Sequence, residues 1–360
     1  MTTCEHSRIS LQKLSEFCCS AFLRVGMNSS DSAIASDALV TTDAMGVFTH
    51  GTKLLAGYLN KLKAGGYRPT ARPCVEREGL GFALIDGQNA LGQVGSVFAM
   101  QTAIKKARHV GIAYVALRHT GHIGAAGYYA ALAAREGLIG LVTGNDIPSV
   151  AAPGSRGAVL GSNPIAYGIP VGNGDPILLD MATAAVAGGK VYAAIQRGEP
   201  IPPSWLIDHN GQPTSDGSLY PQAASLAPMA GHKGYAFGLW CEILSAILPG
   251  GHSTWQVGSW MFDDATVPSH HNASFIAIDV AAIVPIEQFY KRLGTLIDEI
   301  HAAATAEGIE RVLLPGEREW QLYRQAHTDG IALPADVVAT LSNAAKTVGL
   351  SSPFEGQASQ

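Results

Sequence analysis

Charge is scarce in this chain. Of 360 residues, 15% are Asp, Glu, Lys or Arg, and the formal net charge is −5. No lysine- or arginine-rich run occurs, so no nucleic-acid partner is expected. Cysteine is also scarce: Cys4, Cys18, Cys19, Cys74 and Cys241 form an odd set without a C-x-x-C pair. That excludes a disulfide framework and reads as reduced thiols in a cytoplasmic protein. No apolar run reaches the ~20 residues a membrane helix needs. The opening "MTTCEHSRISLQKL" is polar and has no signal-peptide apolar region. A soluble protein without a membrane partner is the expectation. Two nucleotide signatures are missing as well. A Rossmann fingerprint needs G-x-G-x-x-G straight after a strand, and "GQNALGQVG" has the wrong spacing. "GGKV" lacks the upstream glycine and the Ser/Thr of a phosphate loop.

What is present is apolar residue, at 47%, and glycine, at 41 positions. The length exceeds the ~250–300 residues at which single cores stop growing, which predicts more than one lobe. Residues 9–63 read as three helices, ended by Gly26, Gly46 and the "AGGYRP" breaker. The second starts at a Ser-Ser-Asp cap signal, and the third near Thr49–His50. From Leu80 to Asp180 strands and helices alternate: "GFALIDG", "SVFAMQTAIKKARHVG", "IAYVALR", "AAGYYAALAAREG", "LIGLVTGND". Residues 196–222, rich in Pro and Gly, read as a long loop. Helices are expected again over "GYAFGLWCEILSAILPGG", "PIEQFYKRLGTLIDEIHAAA" and "PADVVATLSNAAKTVGL", with "SFIAIDV" a strand between.

Several stretches suggest chemistry. "RHTGHIGAAGYY" follows an apolar strand and precedes a helix, where α/β proteins place reactive groups. His119 and His122 are a poor zinc pair, with no third ligand nearby, so no metal is expected. Glycines around His122 would let a ligand approach, which makes a catalytic histidine as reasonable as a structural one. A histidine alone near a helix start, such as His50, is usually structural. The turns "GSNPIAYGIP" and "LDMATAAVAGGK" offer backbone N–H groups to an anion, or are simply turns. "GHKG" puts Lys233 at a helix N-terminus, which suits a phosphate or carboxylate. "LLPGERE" delivers Glu317 on a turn.

Taken in order, these stretches resemble the malate/L-lactate dehydrogenase family of the second type over about residues 10–350. The matching features are Thr49-His50-Gly51 with Tyr58, the His122 segment, Gly161 to Ala166, Asp180 to Thr183 with Lys190, Gly231 to Gly234, and Pro315 to Glu317. The resemblance implies an α/β fold with a non-Rossmann NAD(P)-binding domain around a mixed, largely antiparallel sheet. A helical lobe would be built from both termini, residues 1–68 and 284–360, with the cofactor and catalytic domain at 69–283. It implies a homodimer, a small carboxylate substrate, and NAD or NADP as cofactor. By motif position, His122 and His50 would be catalytic, and Thr49, Lys53, Tyr58 and Asp146 would meet substrate. Asn145, Ser162, Asn163, Pro164, Asp180, Met181, Ala182, His232, Lys233, Gly234, Pro315, Gly316 and Glu317 would line the cofactor. The implied reaction interconverts a 2-hydroxy acid and a 2-oxo acid. The alternatives are reduction of a cyclic imino acid, and a nucleotide sensor without turnover. The chain departs from the family at Leu54, where many members carry an arginine for the substrate carboxylate, and Lys53, Arg118 and Arg156 are the candidate substitutes. It departs again at Ala184, usually a serine, and at His232, often a tyrosine.

Overall fold

A computed structural model describes residues 7–355, so Cys4 lies outside the described residues. The helix Leu11–Arg24 starts where Ser10 Oγ accepts the Lys13 N–H, and it buries Leu14, Phe17, Cys18, Ala21 and Phe22 along one stripe. The helix Ser29–Ala44 is capped by Asn28, one residue before the expected Ser-Ser-Asp signal. Its second half is buried on all sides, Asp43 included. The third helix begins later than expected, at Leu55, and runs to Ala64 after a short 3-10 turn at Thr52–Leu54. Thr49 and His50 therefore sit in a turn. Asp43 causes this by capturing both the N–H and the hydroxyl of Thr52, at 3.0 and 2.5 Å.

These helices share one apolar core with the C-terminal end of the chain. Leu14, Phe22, Leu55 and Leu59 pack with Leu333, Val337 and Leu341. The strands Ser7–Ile9 and Ile331–Leu333 pair antiparallel and tie the two ends together. The amphipathic helix Ile286–His301 is not part of this core. None of its residues is fully buried, and Tyr290 lies against Gly172 beside the central sheet.

The central sheet has seven strands in the order Cys74–Glu78, Phe82–Asp86, Ile112–Thr120, His271–Asp279, Leu138–Gly144, Ile165–Ile169, Ile177–Met181. Only the pairing of Phe82–Asp86 with Ile112–Thr120 is parallel, and the other five are antiparallel. The fold is thus mixed α/β. The helices Gly92–Val110 and Ala126–Arg135 cover the sheet and bury Met100, Ile104 and Tyr129 against Val115, Val142 and Phe275. A second sheet of five short strands joins residues 150–160 to 206–226. The stretch expected as a loop at 196–222 thus contains the strands Leu206–Asp208 and Pro213–Thr214, and it begins inside a helix, Gly188–Arg197. That helix and Glu317–Asp329 were not legible. The first opens on two glycines, and the second has mostly polar residues and only Trp320 and Ala326 buried. Among the described residues no helix is long and apolar enough to cross a membrane.

Phe275 sits at the centre of this arrangement, fully buried, paired with Val115 on one side and Val142 on the other. Phe275→Ala should destabilise the protein by about 3–5 kcal/mol, the usual penalty for a buried phenyl ring and the cavity it leaves. Urea unfolding measures this, and an unchanged midpoint would mean that the sheet core is not where stability resides.

Candidate active site

Two turns meet a strand end to build the site. The loop after Ile112–Thr120 carries His122, the turn before Thr52 carries His50, and their rings lie 6.0 Å apart. Tyr58, on the helix Leu55–Ala64, places its hydroxyl 2.7 Å from His122 Nδ1. Gln93 Nε2 donates to that hydroxyl at 3.4 Å. Thr49 Oγ1 holds His50 Nδ1 at 3.0 Å. Each ring therefore keeps its Nε2 without a partner among the described residues. The indole of Trp260 stacks on His122 at 5.0 Å, with 17° between the planes. Gly57 makes room for that indole, since a Cβ there would fall 2.7 Å from Trp260 Cζ3.

Asp146 is the charge of the site. Its Oδ1 lies 3.1 Å from His271 Nε2 and accepts the Ile147 N–H at 2.8 Å. Burial alone would raise this carboxyl, but the His271 hydrogen bond and the nearby imidazoles more than offset it and hold it below its ordinary range. The histidines move the opposite way. Burial lowers His50, against the pull of Asp146. Burial, then His271 and His50, lower His122 to about 3, again opposed by Asp146. Both imidazoles are thereby favoured in their neutral forms near pH 7.

The structure gathers Thr49, His50, Tyr58, His122 and Asp146. Ser162 joins them, with Oγ 3.4 Å from Asp146 Oδ2. Asp180 accepts the Gly127 N–H at 2.7 Å, just beyond the His122 loop. Met181 and Ala182 continue toward Gly188 and Gly189, and Gly189 approaches the Thr49 methyl. Asn145 and Asn163 are both buried and bonded to the enclosed Glu242 carboxylate, and Asn163 Oδ1 accepts the Asp146 N–H. Pro164 packs on Gly144. The Lys53 ammonium pairs with Asp336 at 2.7 Å on the surface. Arg118 is likewise committed, to Glu76, while Leu54 is buried. His232 and Lys233 open the helix His232–Glu242 and are exposed, and Gly234 is packed against Met229. Pro315 O accepts the Leu178 N–H at the sheet edge, and Gly316 is left-handed there with no room for a Cβ beside Leu178. Glu317 is held by Arg311, His301 and the Leu314 N–H.

The sequence reading missed Trp260, His271, Gln93, Tyr67 and Ser269. His271 had a signal, the pair His270–His271 at the mouth of an apolar strand, where successive side chains face opposite ways. Trp260 lies in an irregular loop and had none.

Residues 9–342 match the family model described as malate/L-lactate dehydrogenase. The malate dehydrogenase of Pyrococcus abyssi is 36% identical over 350 residues, covering 95% of each chain. The ureidoglycolate dehydrogenase (NAD(+)) of Escherichia coli O157:H7 is 33% identical, over 92% of this chain and 93% of its own. Among solved structures, malate dehydrogenase from Pyrococcus horikoshii OT3 superposes with a TM-score of 0.87 at 33% identity, covering 97% of both chains. A delta1-piperideine-2-carboxylate reductase from Pseudomonas syringae pvar. tomato gives 0.83 at 28% identity, over 94% of this chain and 99% of the other.

Asp43, which shapes the His50 turn, generates a pH prediction. Burial pushes its carboxyl from 3.8 to about 7, although two hydrogen bonds from Thr52 oppose the rise. The folded state thus binds a proton that the unfolded chain has released. This contribution is fully present below pH 3.8 and is lost as pH rises through about 7. Relative to wild type, Asp43→Asn should gain stability between pH 4.5 and 7.5, read from urea midpoints. Parallel pH slopes in the two proteins would refute this.

Proposed function

The chain belongs to the malate/L-lactate dehydrogenase family, whose enzymes are NAD(P)-dependent oxidoreductases acting on CH–OH groups, and from there we propose that it interconverts a small 2-hydroxy acid and its 2-oxo acid by hydride transfer. In this reading His122 is the acid/base and His50 orients the substrate oxygen. The carrying observation is the pair of imidazoles with free Nε2 atoms beside an ionised Asp146.

The residues present fit a nicotinamide cofactor. A cavity of about 220 Å³ lies beside Pro315 and Glu317, walled by Ile177, Leu313, Trp320 and Arg311. The strand Ile177–Met181 runs from this cavity to Asp180, next to the His122 loop. In this reading the cofactor lies along this path, on a non-Rossmann sheet, while Gly316 and Gly189 let the chain pack closely on Leu178 and Thr49. When bound, the cofactor gives or takes the hydride.

The chain's own work is proton handling and orientation. Tyr58 and Gln93 fix the His122 ring so that Nε2 faces substrate. In oxidation, neutral His122 takes the hydroxyl proton at Nε2, its own ring proton sitting on Nδ1 and donated to the Tyr58 oxygen. In reduction it must first gain a proton that burial disfavours. A substrate carboxylate brings compensating negative charge, so proton and 2-oxo acid bind together. Trp260 and Leu54 exclude water from one wall.

A cyclic iminium has one observation in its favour. It arrives protonated, so it suits a site whose imidazoles are neutral and whose carboxylate is ionised. NADH and NADPH oxidation with a panel of 2-oxo acids and two cyclic imines separates the readings. Turnover of imines alone would overturn the hydroxy-acid reading.

A homodimer is part of the proposal. Phe237, Trp240, Ile243 and Ile247 recur at three- and four-residue spacing on one exposed stripe, and Trp255 and Phe262 are 73% and 72% exposed. Apolar surface of this kind usually marks an interface.

Three outcomes are expected. His122→Asn should lower kcat/KM at least ~10²-fold in both directions, and a near-normal enzyme would remove its acid/base role. With 2-oxo acid, kcat/KM should fall roughly tenfold per pH unit between pH 6 and 8, because the protonated fraction of His122 falls that way. With 2-hydroxy acid it should stay flat, and equal slopes in both directions would contradict the acid/base assignment. Light scattering should give twice the chain mass, and a Trp240→Glu, Ile247→Glu protein should give the single mass.

A further inference from the structure

The proton chemistry above leaves one enclosed group unexplained. His271 is 1% exposed, opens the strand His271–Asp279, and stands edge-on to His122 at 5.6 Å. Besides Asp146 it has one hydrogen-bond partner, Ser269 Oγ, 2.9 Å from Nδ1. Counting donors fixes the direction of the chain. The His122 N–H donates to the Tyr67 oxygen at 3.1 Å. The Tyr67 hydroxyl hydrogen then has one acceptor among the described residues, Ser269 Oγ at 2.9 Å. The Ser269 hydrogen is left for His271 Nδ1, and the ring presents Nε2–H to Asp146.

The other titratable groups facing Asp146 come from several elements. They are His50 and Tyr58 from the N-terminal helical segment, His122 and Tyr67 from the loops beside it, and Tyr220 from the connection between two strands of the smaller sheet. His271 is the one imidazole among them that is hydrogen-bonded to the carboxylate.

We propose that His271 is a positioning residue: through the Tyr67–Ser269 hydroxyl chain it aims one N–H at Asp146 and keeps that carboxylate ionised and fixed beside His122 and His50. For its kinetic consequence the inference rests on the hydride-transfer reading; the hydrogen bond itself does not. An ionised Asp146 favours the imidazolium that reduction requires, and a protonated one would not.

Two variants separate donor from bulk. A Gln amide reaches the place of Nε2 and keeps a donor for Asp146, whereas the shorter Asn amide reaches only the place of Nδ1. With 13C-labelled aspartate, assigned through Asp146→Asn, the Asp146 carboxyl should titrate about one pH unit or more higher in His271→Asn. His271→Gln should recover most of that shift. Ser269→Ala, a milder change, should move the titration the same way by less, and it serves if His271→Asn does not fold. In kinetics, His271→Asn should move the acid limb of 2-hydroxy acid oxidation to higher pH, and His271→Gln should largely restore it. An unmoved Asp146 titration in all the variants overturns the proposal, whatever happens to the rate. A moved titration in a protein that turns over neither 2-oxo acids nor imines upholds the positioning role and sinks the functional reading.

Discussion

The structure depends on one strand. His271–Asp279 is inserted antiparallel between Ile112–Thr120 and Leu138–Gly144 and is hydrogen-bonded on both sides. Those neighbours lie more than a hundred residues upstream, so this pairing closes the middle of the sheet and joins distant chain segments. It also delivers chemistry. His271 meets Asp146, and the Asn272 N–H donates to Asn145 Oδ1. The pairing is interrupted at the site end. Thr120 faces His271 and Leu117 faces Ala273, so Arg118 and His119 together oppose Asn272. His119 is left-handed there, with φ +52°. This bulge turns the outgoing chain and carries His122 over the end of the sheet, a common use of such irregularities near functional sites.

The electrostatics follow from that closure. Three imidazoles and one carboxylate are drawn into a nearly dry space, and no Lys or Arg is hydrogen-bonded to any of them among the described residues. Desolvation then favours the neutral forms of His50 and His122, and the carboxylate is the group that donors keep charged. The enclosed Glu242, bound to Asn145 and Asn163, supports this carboxylate from behind through Asn163 and the Asp146 N–H. At position 54 the side chain is a buried leucine, and the neighbouring Lys53 ammonium finds Asp336 outside.

Much of the architecture was legible because it obeys periodicity. The N-terminal helices, the alternating strands and helices from Phe82 to Gly144, and the last helix each carry an apolar stripe or run of the right period. What escaped was aperiodic or weakly apolar. The helix Glu317–Asp329 is mostly polar, and Gly188–Arg197 opens on two glycines that read as a turn. The start of the third helix was misplaced because its cap is not local: Asp43, nine residues earlier, takes the Thr52 N–H.

By itself the sequence determined the family and with it the class of chemistry, since ordered short motifs survive where composition is silent. It also determined most elements, because burying one face of a helix or strand leaves a periodic trace. The tertiary structure alone decided which of the marked residues meet. It paired Lys53 with Asp336 and bonded Asn145 and Asn163 to the enclosed Glu242. It brought in Trp260 and His271 from loops and strand ends with no period to read. The physical reason is that a stripe on one element reports burial and not its neighbour, whereas a site is made of neighbours, and these are set by strand order and register across the whole chain.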